Sequence, residues 1–104
     1  MDSRHALLVP IEGDPVVLHS EVPIDDRSLL EERGEGVYVS FDLKVDEAPR
    51  GKFSFLVNES SPPNEAARLI LAMVTGGVHM VLIGEVCFLG LTSAEIAEVQ
   101  RQFT

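Results

Sequence analysis

The chain has 104 residues, 45% of them hydrophobic and 24% charged, with a formal net charge of -9. That length suits one domain with its own core, folding without metal or disulfide, and the composition excludes a disordered chain. Seventeen acids against eight bases repel a phosphate backbone, so nucleic acid is disfavoured and a basic protein becomes the natural partner.

The acids are unevenly spread: residues 1–59 hold thirteen acids and six bases, and residues 60–104 hold four and two. One cysteine, Cys87, sits inside an apolar run and reads as a buried thiol, so a disulfide framework and a cysteine-rich zinc site are both excluded. The first residues lack a basic segment leading into an apolar stretch, and no apolar run approaches the roughly 20 residues of a membrane span. The expectation is an intracellular, cytoplasmic protein without a membrane partner.

Ala6–Ile11 reads as a strand, joined by the four-residue turn Glu12-Gly13-Asp14-Pro15 to a second strand over Val16–Val22. Pro10 has no amide to donate, which argues for an edge position or a bulge in the first strand. In the second, Leu18, Ser20 and Val22 share one face, and Val17, His19 and Glu21 the other.

Asp25 or Asp26 caps a helix of about two turns over Arg27–Arg33, which Gly34 closes. Val37–Leu43 alternates cleanly, with Val37, Val39, Phe41 and Leu43 on one face and Tyr38, Ser40 and Asp42 on the other. A polar connection ending in Pro49-Arg50-Gly51 then leads to a strand over Lys52–Val57.

Ser61 or Asn64 caps a helix over Glu65–Thr75 that stops at Gly76-Gly77. Ala66, Ile70, Met73 and Val74 form its apolar stripe, broadened by Ala67, Leu69 and Leu71. Met80–Leu89, nearly all apolar, reads as a central strand suited to a parallel neighbour, with Gly84 permitting a bulge or a close backbone approach. Thr92 and Glu95 make a capping box, Leu91 and Ile96 a hydrophobic staple, and Ile96, Val99 and Phe103 line the inward face of the last helix.

Asn58, Glu59 and Asn64 lie between a strand end and a helix entrance, where α/β proteins place ligands. Asparagine before a helix is also an ordinary cap. Glu85 interrupts an apolar strand and could serve as general acid or base if buried, or face solvent beside Gly84. His5, His19 and His79 have no short metal-ligand spacing, and no nucleophile elbow, Walker loop, dinucleotide fingerprint or deaminase signature is present. No cofactor or metal is implied, and the chemistry leans away from an enzyme. Glu31, Glu32, Glu35, Asp42, Asp46 and Glu47 crowd one part of the chain and could steer a basic partner or occupy its phosphate-binding groove. A solvated acidic face is the plainer reading.

Taken in order, several segments carry a resemblance: the first strand ending in Pro10 near Glu12-Gly13-Asp14, Leu29-Leu30 before Gly34 and Gly36, and Val57-Asn58-Glu59. Pro63-Asn64, Ala66-Ala67, Ile83-Gly84-Glu85-Val86 and Phe88-Leu89-Gly90 continue it. Over residues 6–92 the chain resembles a family of small uncharacterised phage and bacterial proteins, domain of unknown function 3846. The chain departs from it at Gly34-Glu35-Gly36, where members look like paired glycines. The resemblance implies a phage or prophage context and no reaction.

The fold expected is compact α/β (α+β): a mixed sheet of about five strands with one short and two longer helices, mainly on one face. The function expected is a phage-type accessory protein that binds a host or phage protein. Its rival is a small enzyme or ligand-binding domain with a pocket at Asn58, Asn64 and Glu85. Exposed strand edges also leave room for a homodimer.

Overall fold

Backbone pairing among five short apolar segments organises this chain, and helices cover what the sheet leaves bare. The computed structural model describes residues 4–45 and 48–103. Its elements run β1 (His5–Val9), β2 (Val16–His19), α1 (Asp26–Glu31), β3 (Val37–Val45), β4 (Ala48–Val57), α2 (Glu65–Thr75), β5 (Val86–Leu89) and α3 (Ser93–Phe103). The five strands, one short helix and two longer ones match the expected fold.

The strand order is β2-β1-β5-β4-β3, and each pair is antiparallel. The parallel neighbour expected for the last apolar run is therefore absent from the described residues. β5 reads as continuously apolar because both faces of the sheet are covered, which burial alone cannot distinguish from a parallel sheet.

Alternation along the strands splits the core in two. Leu7 and Val9 of β1, Phe53 and Phe55 of β4, and Val86 and Phe88 of β5 pack under α2 and α3 with Ala67, Ile70, Leu71, Val74 and Val99. Ala6, Leu8, Leu56, Cys87 and Leu89 point the other way and meet Leu30 of α1. The short helix thus covers the opposite face from the two long ones.

Several boundaries move for local reasons. β1 ends at Val9, so six residues rather than four join it to β2; Pro10 cannot continue the ladder and lies just past the strand's end. β1 is interior, between β2 and β5, so Pro10 marks no edge. α1 is capped by Asp25, whose carboxylate accepts from the Arg27 and Ser28 amides, and it ends at Glu31 with Glu32 as C-cap, well before Gly34. β4 begins at Ala48, inside the segment read as a polar connection.

Met80–Ile83 is not strand. Ile83 makes one isolated bridge to Pro63, the Asn64 amide donates to the Leu82 carbonyl at 2.7 Å, and the Gly84 amide donates to the Pro62 carbonyl at 2.9 Å. Within the run Leu82 is buried in the core that α2 covers and Met80 and Ile83 rest on that core, while Val81 is exposed. β4 and the end of β5 touch backbone to backbone: a Cβ at Gly51 would lie 2.1 Å from the Leu89 carbonyl oxygen, and one at Gly90, where φ is +87°, 2.4 Å from that of Arg50.

Candidate functional site

Two of the polar residues singled out in the sequence meet in one cleft. Asn58, just past β4, and Glu85, just before β5, line a cavity of about 240 Å³ with Leu30, Arg33, Glu35, Leu56, Ser60 and Ser61. Arg33 Nη1 donates to Glu85 Oε2 at 3.3 Å. Asn58 holds the wall together, donating from Nδ2 to the Glu35 carbonyl at 2.5 Å and accepting at Oδ1 from the Ser60 amide at 2.8 Å. The cleft therefore combines an apolar floor, one ion pair and a rim of hydroxyls and carboxylates.

Asn64 does not line this cleft. It is 2% exposed, accepts from the Ala67 amide at 3.0 Å as the cap of α2, and donates from Nδ2 to the carbonyls of Gly84 at 2.8 Å and Val9 at 3.0 Å. One buried amide thus ties the start of α2 to the end of β1 and to the turn before β5. Burial explains the choice of residue, because an unbonded amide there would be costly and asparagine offers donors and an acceptor on one short stem.

Of the six acidic residues, the four that the structure describes gather at α1 and on its side of the sheet. Glu31, Glu32 and Glu35 are exposed at and just after α1, and Glu35 shares the cleft with Leu30 and Leu56. Asp42 is exposed and, by strand alternation with Tyr38 of the α1-side core, points to the same face. Asp46 and Glu47 lie outside the described residues. Three bases on this side are engaged locally: Arg27 with Glu31 at 2.9 Å, Arg33 with Glu85, and Lys52 with Asp26 at 3.0 Å. Lys44, beyond a register shift in β3, is the remaining base of that strand.

The sequence reading missed a buried polar knot beneath α1. Asp26, the first residue of the helix and 3% exposed, accepts at Oδ2 from Tyr38 Oη and Ser54 Oγ, both at 2.5 Å, while Lys52 Nζ approaches Oδ1. Burial works against charge on this carboxyl, but the bonds from Ser54, Tyr38 and Lys52 outweigh it and hold its pKa below the ordinary 3.8. Burial likewise opposes the charge on Lys52, yet Asp26 raises its pKa overall. Cys87 is pushed up to about 12 by burial first and the Asp26 carboxylate second, which leaves an inert thiol. The available signal was Lys52 and Ser54 alternating on one face of an otherwise apolar strand.

His5 and His19 are register partners across β1 and β2, their rings 4.7 Å apart and nearly perpendicular. They border a second cavity, of about 530 Å³, with Arg50, Thr92 and Ile96. His79 is elsewhere, against Arg68 at 3.2 Å. Among the described residues no group of three or more His, Cys, Asp or Glu side chains is placed to hold a metal ion, and no helix is long and apolar enough to cross a membrane. No protein-family model, curated protein or solved structure matches the chain.

Proposed function

We propose that this chain is a phage-type accessory protein that acts by binding a basic protein through the carboxylates on its α1 side. The observation that carries the reading is the local matching of charge. Arg27, Arg33 and Lys52 are each already paired with a carboxylate, so the exposed Glu32, Glu35 and Asp42 stand against Lys44 and leave an excess of negative charge. Such a field speeds encounter with a basic surface and selects against acidic ones.

The test is capture of partners from bacterial lysate by the wild-type chain and by a variant carrying Glu31→Gln, Glu32→Gln, Glu35→Gln and Asp42→Asn. The expected result is a basic protein retained by the wild type, released as salt rises, and absent from the variant. Equal capture by both chains overturns the reading.

A second reading, a small-ligand site, is favoured by the meeting of Asn58 and Glu85 in one cleft. It expects fragment-induced NMR shifts confined to Asn58, Ser60, Gly84 and Glu85. Shifts scattered over the molecule would remove it.

A further inference from the structure

β3 is the outer strand of the sheet and pairs only with β4 among the described residues, so one side of a nine-residue strand has no ladder partner. The opposite edge, β2, is four residues long. Natural proteins shorten or interrupt exposed edges with proline, because unpaired amides and carbonyls recruit another strand. β3 contains neither proline nor glycine, and what guards it, a register shift followed by Lys44, is confined to its last residues, leaving 37–43 open.

Its two faces differ in chemistry. On the α2 and α3 side Val37 is 71% exposed and Phe41 38% exposed, with Val57 directly across from Val37. On the α1 side Ser40 and Asp42 are exposed; Asp42 is the register partner of Lys52, whose ammonium is already taken by Asp26.

Resting on the protein-binding reading above, we infer that β3 is where the partner docks, as an added antiparallel strand. The occupant is an extended basic segment that alternates apolar and cationic residues. Its backbone completes the ladder of β3, its apolar side chains cover Val37 and Phe41, and its lysines or arginines lie along Ser40 and Asp42. A second copy of this chain fits the backbone equally well but brings a further charge of -9 to the same edge, which disfavours it.

The experiment titrates the full chain with a nine-residue peptide alternating lysine and valine, and with the same peptide bearing a central proline, by fluorescence anisotropy and backbone-amide NMR. The alternating peptide is expected to bind about tenfold more tightly than the proline peptide, whose missing donor and fixed φ break the added strand. Amide shifts are expected along 37–43. Val37→Glu supplies the discriminating variant, since it sits at an exposed position and adds negative charge. Strand addition predicts weaker binding to that variant, because the peptide's valines lose their cover; a purely electrostatic surface predicts equal or tighter binding.

Equal affinity for both peptides, or equal or tighter binding by Val37→Glu, overturns strand addition and leaves the acidic side standing. Failure of both peptides to bind at about 1 mM removes the acidic side as well. A dimer of the unliganded chain in sedimentation, abolished by Val37→Glu, would show that a second copy takes the edge and would overturn the proposal.

Discussion

Tyr38 and Asp26 are joined by a hydrogen bond of 2.5 Å from the phenol to the carboxylate, which links the first residue of α1 to the edge strand β3. Ser54 donates to the same carboxylate oxygen and Lys52 pairs with the other. The Arg27 guanidinium lies 5.5 Å above the Tyr38 ring and closes the cluster toward solvent. A helix of six residues is too short to persist alone, and this knot together with the buried Leu30 fixes it to the sheet.

Removing the acceptor should therefore loosen α1. Asp26→Ala leaves two hydroxyls and an ammonium without their shared partner and is expected to destabilise the chain by about 2–4 kcal/mol. Asp26→Asn keeps an acceptor and should cost less. Urea unfolding followed by circular dichroism measures both.

The same group sets an acid limit. Because the folded pKa of Asp26 is lowered, its contribution is complete above the unfolded value, near 3.8, and is lost as pH falls through the folded value. Lys52 is shifted the opposite way from 10.5, so its contribution is complete below that pH and is lost as pH rises through the raised folded value. Stability should be level between these limits as far as this pair is concerned. Below pH 3.8 the wild type should lose more stability than Asp26→Asn, as urea midpoints taken down the pH scale would reveal.

Asn64 separates capping from bracing. Asn64→Asp keeps an acceptor for the Ala67 amide but loses both donors to Val9 and Gly84, whereas Asn64→Ala loses all of these bonds. The alanine variant should lose about 2–4 kcal/mol and the aspartate variant an amount in the same range, since it buries a charge beside two carbonyls. If Asn64→Asp proved as stable as the wild type, the bracing bonds would have no energetic weight.

Cys87 should be silent in the native state. With its thiol pushed up to about 12 and no accessible surface, it is expected to resist a colorimetric disulfide reagent at pH 8 and to react fully in denaturant. Labelling of the folded chain within seconds would contradict that burial.

Gly51→Ala tests the close approach of β4 to β5. Its new Cβ would meet the Leu89 carbonyl oxygen at 2.1 Å, and carbonyls in a sheet cannot yield without breaking ladder bonds. The variant should be the least stable of those described, or fail to accumulate as folded protein. Gly13→Ala meets nothing within 4 Å, although its φ of +95° is strained, and should cost about 1 kcal/mol.

Local chemistry was legible wherever it acts over a few residues. The capping box is present as read, with the Thr92 amide on Glu95 Oε1 at 2.9 Å and the Glu95 amide on Thr92 Oγ1 at 3.2 Å. α2 runs from Glu65 to Thr75 and stops at Gly76 in the left-handed conformation. The sequence offered Ser61 or Asn64 as its cap, and tertiary bonds to Val9 and Gly84 show why the second prevails. The cleft was half legible: Asn58 and Glu85 stand out as polar residues at strand ends, while Arg33 and Ser60 enter it only because α1 and the turn after β4 converge.

By itself the sequence determined the periodicities, the helix caps and stops, the excess of acid in the first half and the burial of Cys87, since each depends on neighbours along the chain. Only the tertiary structure decided that β5 lies between β1 and β4, that Met80–Ile83 packs as a loop, and that Asp26 is buried while Asp25 caps. Those outcomes depend on which distant segments meet. Apolar residues pack equally well in a strand or a covered loop, and two adjacent aspartates differ only in whether Tyr38, Lys52 and Ser54 arrive to bond one of them.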